Sequence, residues 1–243
     1  MSNSKVIRLD KLLTELSVGT RSEVKGMIKK GKITVNGALC KIPETKIQTA
    51  TDIVALDGRV LQYSEFEYYM LNKPQGVVSA TTDNHCETVV DLITGSNRKD
   101  LFPVGRLDKD TEGLLLITND GELAHNLLSP KKHVDKVYYA RVKGNVTNED
   151  CHRFIEGLPV DAEFTAMPAK LKILSAGEIS EIHLTIKEGK FHQVKRMFTA
   201  VEKEVIYLKR ISMGSLVLDE SLKAGEYRSL TKEEVDALRV SNK

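Results

Sequence analysis

Three stretches carry side chains that could do chemistry. The first is "VGRLDKDTEGLLLITNDGEL", running from Val104 to Leu123. Arg106, Asp108, Lys109 and Asp110 stand together directly before a run of aliphatic residues. A carboxylate there would sit on a loop pinned by a buried strand, a usual place for catalytic groups. Asp also suits turns for its own sake, so Asp108 has a structural reading beside the chemical one. Asp108 and Asp110 could together ligate Mg²⁺. No second carboxylate cluster or histidine array completes such a set, so no metal site is expected. Phosphate-binding glycine loops of the GxxxxGK[ST] and GxGxxG types are missing. So is the Gly-x-Ser-x-Gly context of a serine nucleophile.

The second stretch is "GKFHQVKRM", which brings His192, Gln193, Lys195 and Arg196 close together. Lysine and arginine at the start of a helix oppose its dipole. They call for an anionic partner, either RNA phosphate or Asp108, unless they are plain solvated charge. The third is "KVYYARV", where Tyr138 and Tyr139 point to opposite faces of a strand. One belongs in the core. The other either packs as well or presents an aromatic face to a cleft, where a base could stack on it.

The elements that must position these groups can be read from periodicity. "IRLDKLLTEL" spaces Ile7, Leu9, Leu12, Leu13 and Leu16 as a helix. Thr20 caps a second helix, "RSEVKGMIKKG", with Glu23 as its capping-box partner and Gly31 at its end. Arg21, Lys25 and Lys29 share one face of that helix. Asn36-Gly37 and Asp57-Gly58 mark hairpins. In the body, "YYMLNKP", "GLLLITND", "KVYYARVKG" and "EIHLTIKEG" read as strands. "ETVVDLI", "ELAHNLLSP" and "KFHQVKRMFTAV" read as helices, the last with Val194, Met197, Phe198 and Val201 on one face. Strands dominate and helices are irregularly interspersed. The expected class is therefore α+β, a mixed, mainly antiparallel sheet with flanking helices, rather than a doubly wound parallel sheet.

A chain of 243 residues can bury a real core, and 41% hydrophobic with 29% charged residues describes an ordinary globular protein. No window is apolar enough for a transmembrane helix, so no membrane partner is expected. The N-terminus lacks an apolar signal core. Cys40, Cys86 and Cys151 are odd in number and scattered, which suits reduced thiols and a cytoplasmic location. Cys151-His152 and His85-Cys86 lack zinc-ligand spacing. Charge is uneven: residues 1–60 hold 11 Lys/Arg and 6 Asp/Glu of the chain's 36 and 34, leaving 25 and 28 for the rest. A basic N-terminal block on a near-neutral body suggests an appendage for a polyanion. Two domains are expected, at about 1–60 and 65–243, with "QYSEFE" between them.

Taken in order, the motifs resemble those of the RNA pseudouridine synthases. "GRLDKDTEGLLLITNDG" resembles the family's Gly-Arg-Leu-Asp-x-x-Thr-x-Gly-Leu-Leu-Leu core. "YYMLNKPQGVVSAT" is similar to its Asn-Lys-Pro-x-Gly motif and "KVYYARVKG" to its Lys-x-Tyr motif. "EGKFHQVKRM" resembles the third, basic motif as it occurs in the RsuA branch. Residues 7–55 resemble the small RNA-binding domain named after ribosomal protein S4, and "LKAGEYRSLTKEEV" resembles the branch's C-terminal segment.

The resemblance implies an isomerase that moves uracil from a nitrogen 1 to a carbon 5 bond with ribose. That chemistry involves no redox or phosphoryl-transfer step, so no cofactor is expected. It makes Asp108 the catalytic residue, attacking the sugar, attacking the ring or taking a ribose proton. Tyr138 would lie against the flipped base. Lys195, or Arg196 beside it, would keep the carboxylate ionised. Arg106 would help to hold the space that the uridine vacates. His192, Gln193 and Arg196 are further expected RNA contacts. In the N-terminal block Arg8, Lys11, Arg21, Lys25, Lys29 and Lys30 are expected at phosphates. The implied partner is ribosomal RNA, 16S or a small-subunit assembly intermediate, met by a monomer. Alternatives are a 23S enzyme of the same family and a non-catalytic ribosome-assembly protein. The latter would be favoured by a substitution at Asp108, Tyr138 or the third-motif cation, and none is seen. A metal-dependent RNA hydrolase would need the ligand set that is missing.

Overall fold

The computed structural model describes residues 5–96, 98–162 and 164–240. The chain forms two compact units, Met1–Phe66 with Gly95–Leu101 and Glu67–Thr94 with Phe102–Lys243.

The first unit runs β1 (Val6–Arg8), α1 (Leu9–Glu15), α2 (Arg21–Lys29), β2 (Ile33–Val35), β3 (Ala38–Leu39), β4 (Lys46–Gln48), β5 (Val54–Leu56) and β6 (Arg59–Leu61). Ile7 was expected to open the first helix. It lies instead in β1, paired with Ile47 of β4, and the helix begins at Leu9. Extended Ile7 reaches the same core as Leu9, Leu12 and Leu13, so its apolar spacing fits both structures. The Thr20 hydroxyl accepts from the Glu23 amide while the Glu23 carboxylate accepts from the Thr20 amide, the reciprocal cap read from sequence. Asn36 and Gly37 both take positive φ, 51° and 80°, as the tight β2–β3 turn requires. The segment Gly95–Leu101 is held to this unit by Arg98, which lies 3.6 Å from Glu15 and donates twice to Asp100.

The second unit is built on one nine-stranded sheet, with a separate two-stranded one. Its elements are β7 (Tyr68–Lys73), β8 (Phe102–Pro103), β9 (Glu112–Thr118), α3 (Gly121–Leu128), β10 (Lys136–Lys143), α4 (Asn148–Glu156), β11 (Leu158–Pro159), β12 (Thr165–Ala166), β13 (Lys170–Ser175), β14 (Ile179–Ile186), α5 (Gln193–Thr199), β15 (Glu204–Met213), β16 (Leu216–Val217), β17 (Tyr227–Ser229) and α6 (Lys232–Val240). The strand order is β13-β14-β10-β15-β9-β7-β17, with β8 beside β9 and β16 beside β15. Among the described residues, every pairing between strands of this sheet is antiparallel except β15 with β9. The second unit thus has the mixed, mainly antiparallel sheet with flanking helices expected of an α+β protein.

From Gly113 to Thr118, β9 is buried on both faces, which explains its unbroken aliphatic sequence. Its core partners include Met70, Val104, Leu123, Leu127 and Met213. Gly113 stands opposite Arg210 where the two parallel strands meet. Its φ is +101°, and a Cβ there would lie 2.3 Å from the Arg210 carbonyl oxygen. Only glycine allows both the conformation and the approach.

One expected helix is not formed. Residues 87–93, "ETVVDLI", make successive turns. The Thr88 amide donates to the Asp91 carboxylate and the Asp91 amide to the Thr88 hydroxyl, at 2.9 and 3.3 Å. A helix-start signature is therefore present, but the chain turns off at Gly95 into the other unit before a helix can propagate.

Candidate active site

The loop between β8 and β9 is fixed on both sides of Asp108. Ser79 Oγ accepts from the Leu107 amide at 3.0 Å and donates to the Leu107 carbonyl at 2.8 Å. The Thr111 amide closes a turn onto the Asp108 carbonyl at 3.0 Å. Beneath the loop lies Lys73 at the end of β7, with no exposed surface. Its ammonium donates to the carbonyls of Pro74, Lys109 and Thr111 at 2.9, 3.3 and 2.9 Å. Three donors thus meet three acceptors. Burial lowers the Lys73 pKa to about 8, while the carboxylates of Asp110, Asp108 and Glu112 pull it back upward. Lys73 stood in the "NKP" stretch without an assigned role. Its one local sign was a lysine ending a mainly apolar strand.

Above the loop stands α5. Lys195 Nζ lies 3.4 Å from an Asp108 oxygen and donates to both oxygens of Asp110, at 2.6 and 2.8 Å. Hydrogen bonding from Lys195 holds the Asp110 carboxyl below the usual carboxylate range. His192 Nε2 lies 3.7 Å from the other Asp108 oxygen. Asp108 therefore lies between an ammonium and an imidazole. Both Lys195 and Asp108 keep about a quarter of their side-chain surface, 25% and 26%, so solvent reaches the pair.

Arg196 points elsewhere. It pairs with Asp161, donates to the Phe191 carbonyl at 3.2 Å and lies 5.1 Å from the Phe164 ring. The anionic partners of both α5 cations are thus carboxylates of this same unit.

Asp108 faces a cleft walled by Tyr138, Ile186, Val194 and Leu208, with Arg106 and Lys190 also on its lining. Tyr138 is only 7% exposed and belongs to the buried face of β10 while lining this cleft. Tyr139 points to the opposite face, edge-on to Tyr207 and His183. Gln193 is buried: its amide nitrogen donates to Glu188 at 2.9 Å and its oxygen accepts from the Lys190 amide at 2.9 Å. Its polar atoms thus brace the turn that carries His192.

In the first unit the expected phosphate contacts divide. Arg8 makes a bidentate pair with fully buried Asp10 and also meets Glu44, while Lys11 lies 3.8 Å from Glu15. Arg21, on the N-terminal turn of α2, lies 3.7 Å from Asp10 but keeps 67% of its side-chain surface. Lys25, half-buried, and Lys29 and Lys30, exposed, have no ion pair with a described residue.

The second unit therefore presents a carboxylate beside cations, on a braced loop, over an aromatic-walled cleft. No group of histidines, cysteines and carboxylates suited to a metal ion occurs among the described residues. The sequence profile described as RNA pseudouridylate synthase matches residues 67–200, and the S4 domain profile matches residues 7–54. The uncharacterized RNA pseudouridine synthase YtzG of Bacillus subtilis is 48% identical over 234 residues, covering 96% of this chain and 98% of its own. Ribosomal small subunit pseudouridine synthase A of Vibrio cholerae is 39% identical, with 96% and 99% covered. Ribosomal large subunit pseudouridine synthase B of Bacillus subtilis is 40% identical, with 96% of each covered. A crystal structure of a pseudouridylate synthase superposes with a TM-score of 0.67 at 37% identity, covering 96% of this chain and 99% of that one. The chain belongs to the RNA pseudouridylate synthase family and carries an S4 domain.

Proposed function

We propose that this protein isomerises one uridine of 16S ribosomal RNA, free or in a small-subunit assembly intermediate, as a cytoplasmic monomer. Asp108 is the catalytic carboxylate, Lys195 the cation that faces it, and Tyr138 the aromatic wall for the flipped base. The observation that carries the reading is the Lys195–Asp108 approach at the mouth of the Tyr138 cleft. Residues from about 1 to 60 bring the basic α2 face to the RNA, and residues from about 65 to 243 perform the chemistry. The small-subunit assignment follows the similarity to ribosomal small subunit pseudouridine synthase A. The similarity to ribosomal large subunit pseudouridine synthase B supports 23S rRNA as a second substrate reading.

Mapping pseudouridine in rRNA from cells with and without this gene tests the substrate. One 16S position should lose its modification, and a lost 23S position instead would select the second reading. Complementation with Asp108→Asn should not restore the site, because the nearly isosteric amide is neither nucleophile nor base. RNA affinity of that variant should be largely kept. Turnover by the purified variant would remove Asp108 from the catalytic role.

A further inference from the structure

The turn that carries His192 also carries Phe191, the most exposed large hydrophobic side chain among the described residues, at 74%. Its ring is not loose. It stacks on the His192 imidazole with centroids 3.8 Å apart and planes 17° from parallel. The turn beneath is held tightly. Gln193 ties the Lys190 amide to Glu188, Glu188 accepts from the Met167 amide at 2.8 Å, and Arg196 holds the Phe191 carbonyl. His192 takes left-handed backbone angles, φ 49° and ψ 30°, unusual for a non-glycine residue. That conformation accompanies the parallel setting of the two rings. Folding thus leaves a flat apolar ring oriented and exposed, with exposed Lys187 and Lys190 on the same turn. Through His192 the stack reaches to 3.7 Å from Asp108.

An exposed aromatic ring stacked on its neighbour, with exposed lysines on the same turn and a cleft that Lys190 and His192 line, is what single-stranded nucleic acid requires. Bases stack on the ring while the lysines meet the backbone. We propose that Phe191, backed by His192, is a stacking subsite for a nucleobase next to the modified uridine. The proposal rests on the reading of the cleft as a uridine site. It adds a neighbouring nucleotide to what the protein grips. Phe191 touches neither reacting atoms nor Asp108. Its effect belongs to RNA capture and to holding the strand while one base is turned into the cleft.

The probe is a short oligouridylate, together with the same oligomer carrying one abasic residue walked along its length. Phe191→Ala should weaken binding of the intact oligomer roughly tenfold. Phe191→Trp should bind about as the wild type does. Phe191→Leu, apolar but without a π face, should resemble the alanine variant. At one abasic position the wild type and Phe191→Ala should bind alike, because the stacked base is gone. With unmodified 16S transcript, KM should rise in Phe191→Ala while kcat stays close to wild type. Position 191 is exposed, so unchanged melting temperatures should show that all three variants are folded.

Equal affinities of wild type, Phe191→Ala and Phe191→Leu for every oligomer would overturn the subsite and leave the exposed ring to protein docking. A kcat loss at unchanged KM would overturn it too. Failure of the 16S reading looks different: the wild type would form no pseudouridine in that transcript, while oligouridylate binding would still depend on Phe191.

Discussion

Lys195 and Asp110 form a two-pronged contact: one ammonium donates to both oxygens of one carboxylate, 2.6 and 2.8 Å away. Asp108 meets the same ammonium at 3.4 Å. The cation is shared, and the more exposed acid holds it more closely. Asp110 therefore anchors Lys195 over the loop, within 3.4 Å of Asp108.

Replacing Lys195 should separate charge from geometry. Lys195→Met leaves two neighbouring carboxylates with no ammonium between them, and turnover should fall by at least tenfold. Lys195→Arg keeps the charge and should retain far more activity, although a planar guanidinium cannot copy the ammonium contact in full. The pair is reached by solvent, so the cost to stability should be only about 1 kcal/mol. The sign with pH follows from Asp110. Its folded pKa is depressed, so its contribution is present above the ordinary carboxylate value and lost as pH falls through the depressed one. Wild type minus Lys195→Met melting temperatures should therefore narrow only in acid. A difference unchanged down to the lowest accessible pH would refute the pairing.

Lys73 should govern the alkaline side. The ammonium has three protons for three carbonyls, and the neutral amine has only two. As pH rises through about 8, the loop carrying Asp108 loses one of its ties, and activity should decline. Stability should move the other way. Between about 8 and the ordinary lysine value the unfolded chain holds the proton that the folded chain has released, so this group makes unfolding harder as pH increases. Lys73→Met strands buried carbonyls at a cost of about 1–3 kcal/mol. It should lower the melting temperature and depress kcat more than KM. Full activity of a folded Lys73→Met protein would show that the loop holds itself.

The α2 face is tested by salt. If Arg21, Lys25 and Lys29 meet phosphates, replacing all three with glutamine should flatten the dependence of log affinity on log salt by nearly one per lost contact. The kcat at saturating RNA should change little. An unaltered slope would mean that this face meets only solvent.

Gly113 offers a test without any reaction. Gly113→Ala places a Cβ 2.3 Å from the Arg210 carbonyl at φ +101°. The strained backbone alone costs about 1–3 kcal/mol, before strand separation is counted. The variant should melt far below the wild type or fail to accumulate, and calorimetry of the purified protein decides it.

Elements with local causes were legible in the sequence. The Thr20–Glu23 cap, the Asn36-Gly37 turn, the buried β9 and the apolar face of α5 each arise from residues within a few positions of one another. The order of motifs, which points to one family, also put Asp108, Tyr138 and the third basic stretch together, and all three line one cleft. Periodicity was ambiguous where one apolar residue serves a strand and a helix equally, as Ile7 does. It also misled where Thr88 and Asp91 made a helix start with no helix to follow.

What only the tertiary structure decided were contacts between distant parts of the chain. Lys195 and Asp110 are 85 residues apart, and nothing local tells a cation on α5 which of two acids it will reach. The packing of α5 over the β8–β9 loop sets that choice, sending Lys195 to the acids and Arg196 to Asp161. Lys73 reads as an ordinary charge at the end of a strand until Lys109 and Thr111 bring their carbonyls over it. Gln193 and Arg8 read as RNA contacts until Glu188 and Asp10 take up their donors. Sequence determines which charges exist and which lie on one helix face. The fold determines which of them are neutralised internally and which remain for RNA, because electrostatic pairing depends on distance in space rather than along the chain.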